Sequence, residues 1–103
     1  MLAAHTTALL RAFMVAALFV VAACETMPVQ EMSDARQAIS AAREAGAAEH
    51  AAEQLLAAES ALQSAEKYLS TRNYGVARQE AMAAKSAAID ALRTSEAAVE
   101  AEN

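Results

Sequence analysis

The sequence predicts an all-α protein built as an Ala-rich antiparallel helical hairpin or a short three-helix arrangement. Three observations carry that expectation. Pro28 is the only proline of the 103 residues, and Gly46 and Gly75 are the only glycines. The chain beyond Pro28 is dominated by Ala, Glu, Gln, Arg, Lys and Leu, which lose little conformational freedom in a helix. Apolar residues there recur at alternating steps of three and four, which places them on one face of a helix.

The first 23 residues are a different material from the rest. Arg11 is the only Lys, Arg, Asp or Glu before Cys24, and residues 12–23 form an uncharged apolar run of twelve residues. A helix needs about 20 apolar residues to cross the hydrocarbon layer. A dozen behind a single basic residue instead match the apolar stretch of a secretion signal, so residues 1–23 are expected to be removed. The run ends Val21-Ala22-Ala23-Cys24, an aliphatic residue and two small ones before a cysteine.

That ending resembles the lipobox of bacterial lipoproteins. The resemblance implies cleavage between Ala23 and Cys24, a diacylglyceryl group on the Cys24 thiol, and acylation of the amine that cleavage frees. Each buried methylene contributes about 0.8 kcal/mol, so one acyl chain holds a protein marginally and two or three hold it stably. In the sorting rule of enteric bacteria, Asp after the lipidated cysteine retains a lipoprotein in the inner membrane. Glu25 stands there, which implies the outer membrane, facing the periplasm.

Residues 24–30 read as a lipidated tether, short enough to keep the folded part near a bilayer. Residues 31–103 read as the helical domain, with helices over about 31–45, 52–71 and 74–100. The first shows Met32, Ala35, Ile39 and Ala42 on one face, then meets Ala45-Gly46-Ala47-Ala48. A soft boundary falls at 45–51, and the pattern leaves open whether the helix bends at Gly46 or runs through it. The second helix has the clearest stripe: Leu55, Ala58, Leu62, Ala65 and Leu69. Between residues 70 and 75 a tight turn is expected, with Asn73 left-handed or capping the next helix and Gly75 loosening the backbone. The third helix carries Ala77, Ala81, Ala84, Ala88, Leu92, Ser95 and Val99 on one face. Leu55, Leu62, Leu69, Ala77, Ala81, Ala88 and Leu92 are the expected helix-packing residues.

Composition narrows the function classes. Removing Arg11 from the eight Lys and Arg leaves seven against 13 Asp and Glu, a balance that argues against binding nucleic acid or an anionic lipid surface through bulk charge. One cysteine excludes an internal disulfide. His50 lies between Glu49 and Glu53, a spacing that can share a helix face, yet a metal site needs at least two further ligands. Neither a Ser-His-Asp arrangement nor a glycine-rich phosphate loop appears, so no enzyme activity and no cofactor are expected. The surface pairs Glu66 with Lys67 and Arg78 with Glu80 read as a solvated face, and Tyr68 and Tyr74 as residues packing over the ends of the hairpin. Ala-rich stripes bury little area at about 25 cal/mol per Å², so the domain is expected to gain from a protein partner or a homo-oligomer.

The stretch Ala35 to Ala98 resembles the bacterial lipoproteins grouped as domain-of-unknown-function family 4398. The residues that carry the likeness are Ala45-Gly46-Ala47, His50, the Leu-bearing helix from Leu55 to Leu69, Asn73-Tyr74, and Ala77-Arg78 onward. The resemblance implies an envelope lipoprotein of unassigned activity, with a structural or protein-interaction role. Two other classes compete with it: a murein-lipoprotein-like coiled-coil wall tether, and a small metal- or ligand-binding module at His50. The tether uses a terminal Lys, whereas this sequence ends Ala101-Glu102-Asn103.

Overall fold

A computed structural model of the chain describes residues 5–14 and 26–103. Residues 5–14 form helix α1, every residue of which is exposed. The second described segment contains α2 (Val29–Glu44), α3 (Ala47–His50), α4 (Ala52–Ser70) and α5 (Tyr74–Glu102). No strand occurs among the described residues. The protein is all-α, and its folded part is the three-helix arrangement: α2, α4 and α5 pack together, with α3 as a single turn in the first connection.

The ion pairs between helices fix their directions. Arg36 meets Glu66 at 3.4 Å and Arg43 meets Glu59 at 3.1 Å, so position falls along α4 as it rises along α2. Those two helices are antiparallel. Arg78 meets Glu31 at 3.2 Å and Lys85 meets Asp34 at 3.7 Å, so positions on α2 and α5 rise together. Those two are parallel. The bundle therefore has two ends. One holds the start of α2, the α4–α5 turn and the start of α5, and is called the turn end below. The other holds Gly46, α3, the start of α4 and the end of α5.

The helix does not continue through Gly46. α2 stops at Glu44, Ala45 stays right-handed, and Gly46 takes φ +89°, the left-handed conformation that ends helices. Its N–H donates to the Arg43 carbonyl at 3.0 Å, and its carbonyl accepts from the N–H groups of Glu49 and His50. The α3 turn that follows ends at Ala51, whose φ of −149° starts α4 in a new direction. Two breaks, at Gly46 and Ala51, thus bound the soft stretch at 45–51 and reverse the chain. At the α4–α5 turn the left-handed residue is Arg72, with φ +62°. The Arg72 N–H donates to the Leu69 carbonyl at 3.1 Å and the Asn73 N–H to the Tyr68 carbonyl at 2.9 Å. That pair of bonds is a Schellman closure. The left-handed position expected of Asn73 is therefore one residue earlier. Asn73 does stand at the N-cap of α5, but its side chain makes no capping bond, and Gly75 lies inside the helix.

Alanine makes most of the core. Ala35, Ala42, Ala47, Ala58, Ala65, Ala77, Ala81, Ala84, Ala88 and Ala91 have no accessible surface. Ile39, Ala42, Ala47, Ala51, Leu55, Ala58, Ala88 and Ala91 form the cluster toward the Gly46 end. Met32, Ala65 and Ala81 form the one toward the turn end, and Leu62 packs against both. An alanine loses no rotamer freedom on burial, so each contact costs little entropy, and small side chains let helix axes approach closely. Ser95 is the one buried polar side chain among the described residues, and its hydroxyl donates to the Ala91 carbonyl at 2.8 Å within its own helix.

Candidate functional site

The expected lipidation site, Cys24, and its flanking lipobox residues Val21, Ala22 and Ala23 lie outside the described residues. The described residues continue from Thr26 and Met27, and Pro28 is buried at the N-cap of α2. Its carbonyl accepts the Met32 N–H at 3.0 Å, the first bond of the helix. The Arg78 guanidinium on α5 donates both to Glu31 and, at 2.9 Å, to the Thr26 carbonyl. A part-buried arginine thus ties the entering strand of chain to the bundle before the first helix begins. Among the described residues no helix is long and apolar enough to cross a membrane.

The expected packing residues fall into two sets. Leu55, Ala77, Ala81 and Ala88 are buried, while Leu62, Leu69 and Leu92 are half-buried at the edges of the same interfaces. Ala91, absent from the expected stripe, has no accessible surface, whereas Val99 at its end is exposed. The buried residues Ala77, Ala81, Ala84, Ala88, Ala91 and Ser95 keep alternating steps of four and three, a seven-residue repeat, whereas the expected stripe took a second step of four after Ala88 and so passed from Ala91 to the larger Leu92.

The charged residues missed as a pattern are those that cross between helices. Glu66 pairs with Arg36 and Arg78 pairs with Glu31, rather than with their sequence neighbours Lys67 and Glu80. Only the helix directions bring these partners together, so no local spacing could have revealed them. Folding also sorts charge by end. Toward the turn end lie Arg36, Lys67, Arg72, Arg78 and Lys85 against Glu31, Asp34, Glu66 and Glu80. Toward the Gly46 end lie Arg43 and Arg93 against Glu44, Glu49, Glu53, Glu59, Asp90, Glu96, Glu100 and Glu102. The first half is near balance and the second strongly acidic. At the tip of the turn end Lys67 and Arg72 are exposed and form no ion pair among the described residues.

His50 is half-buried beside Gly46 at the opposite end. Among the described residues no group of three His, Cys, Asp or Glu side chains is placed to hold a metal ion. One open surface groove, lined by Glu31, Asp34, Met82, Lys85, Ser86 and Ile89, lies between α2 and α5. Nothing in that lining pairs a nucleophile with a base. Comparison of the chain with protein-family models, with curated proteins and with solved structures finds no match.

Proposed function

We propose that this chain is a bacterial cell-envelope lipoprotein, cut before Cys24, anchored by lipid on that residue, and acting without catalysis through protein contacts in the periplasm. The observation that carries the reading is the ending Val21-Ala22-Ala23-Cys24 behind an uncharged run of a dozen residues and Arg11. An acyl-bearing cysteine needs small residues before the cut, so that a protease can reach the bond, and a hydrophobic segment to present it at the bilayer. The helical bundle begins at Val29, five residues after Cys24, which suits a protein held against a membrane. Membership of domain-of-unknown-function family 4398, which the sequence resembles over Ala35 to Ala98, is part of the same proposal. Glu25, where inner-membrane lipoproteins carry Asp, favours the outer membrane.

The test is the intact mass of the protein purified from bacterial membranes. The expected mass is that of residues 24–103 plus a diacylglyceryl group and a further acyl chain, and Cys24→Ser removes the addition. An unmodified chain of full length would end the lipoprotein reading.

A further inference from the structure

We propose that the turn end of the bundle is a membrane-contact surface, seated on phospholipid headgroups so that the three helices stand away from the bilayer with the acidic end outward. The inference rests on the lipid anchor proposed above and adds what the anchored protein does with its surface. Val29 is the fifth residue after Cys24, a reach of at most about 18 Å when fully extended. The start of α2, and with it the whole turn end, is therefore held within reach of the headgroups, while the Gly46 end is about a helix length further off.

The chemistry of that end fits the position. Lys67 and Arg72 are exposed with no ion pair among the described residues, which leaves their charge to meet lipid phosphate. Met27 and Val29 are 52% and 67% exposed at the same end, apolar side chains at the point where the chain enters the bundle. The two tyrosines of the chain, Tyr68 and Tyr74, flank the same turn, and amphipathic rings favour the boundary between headgroup and water. The opposite end carries eight carboxylates against two guanidiniums, so an anionic surface repels it, while the near-balanced turn end can approach with Lys67 and Arg72 foremost. Charge and tether thus select the same orientation.

The chain has no tryptophan, so its intrinsic fluorescence comes from Tyr68 and Tyr74 at the proposed contact. The experiment uses the lipidated protein purified from bacterial membranes, its mass checked, in phosphatidylethanolamine and phosphatidylglycerol vesicles with or without a headgroup-nitroxide phosphatidylcholine. The nitroxide is expected to quench tyrosine emission, and the pair Lys67→Glu and Arg72→Glu to reduce that quenching by roughly twofold as charge attraction is lost. A second variant moves the reporter to the far end, with Tyr68→Phe, Tyr74→Phe and Val99→Tyr, and its emission is expected to stay unquenched. Lipidated protein with unquenched native tyrosines, or with Val99→Tyr quenched equally, overturns the end-on stance and leaves the anchor intact. So does emission that responds to protein concentration rather than to nitroxide, which would give the surface to a second copy of the chain. A mass without lipid removes the anchor itself, a failure visible before any fluorescence is read.

Discussion

The bundle reverses direction twice, and the two reversals are built differently. Each ends a helix with one residue in the left-handed region, Gly46 after α2 and Arg72 after α4. At Gly46 the turn is part of the core. Ala47, the first residue of α3, and Ala51, just after it, are buried in the cluster with Leu55, Ala88 and Ala91, and a β-carbon on Gly46 would lie 3.3 Å from His50 Cδ2. At Arg72 the turn is outside the core, since residues 70 to 73 are all exposed and the backbone closes the helix with its own hydrogen bonds. A glycine is required where a side chain would meet both an unfavourable backbone conformation and a packed neighbour. Where the side chain projects into water, the conformational cost alone is small enough for an arginine to bear.

Enlarging a residue inside the first reversal should break the comparison most strongly. Ala47→Leu forces three extra carbons into a site with no accessible surface, and overpacking of that kind costs about 1–3 kcal/mol. Urea unfolding followed by helical circular dichroism should show the loss, and an unchanged midpoint would mean that the α3 turn simply lifts away from α5. Gly46→Ala comes next. A left-handed L-residue costs about 1–2 kcal/mol, partly offset by the lower entropy of the unfolded alanine chain and increased by the contact with His50, for a net loss of about 1 kcal/mol. The smallest effect has the opposite sign. Arg72→Gly relieves the left-handed strain but adds unfolded-state freedom of about 0.5–1 kcal/mol, leaving a gain of about 0.5 kcal/mol on the same assay. If Arg72→Gly destabilises instead, the arginine side chain makes a contribution that its exposure does not suggest.

The legible part of this fold is what local chemistry dictates. Met32, Ala35, Ile39 and Ala42 are the four buried residues of α2 and the four its spacing predicts, because a helix of 16 residues hardly drifts against its stripe. The reversal at 45–51 was legible as a weak point through Gly46, though not as two breaks. Ala51 gives no sign of its non-helical conformation, since nothing in an Ala-Ala-Glu sequence forbids another helical turn. At the second turn the Asn and Gly signals pointed to the right stretch and to the N-cap position of Asn73, but not to Arg72 as the left-handed residue. Those propensities describe which residue tolerates the left-handed region at least cost, whereas the Schellman bonds place it by counting back from the last helical residue. The candidate contact surface was hidden for a different reason. Lys67, Arg72 and Tyr68 are close to one another in sequence, but Met27 and Val29 join them only because α2 runs parallel to α5, and a net charge averaged along the chain conceals its division between ends.

The parallel arrangement of α2 and α5 makes the number of passes odd. A bundle of two or four passes would return the chain to the side where it entered. Here the chain enters at Thr26 and leaves through a helix of 29 residues, which at 1.5 Å per residue carries it about 43 Å along the bundle. The bundle thus has distinguishable poles, and the final turn of α5 lies one bundle length from the start of α2.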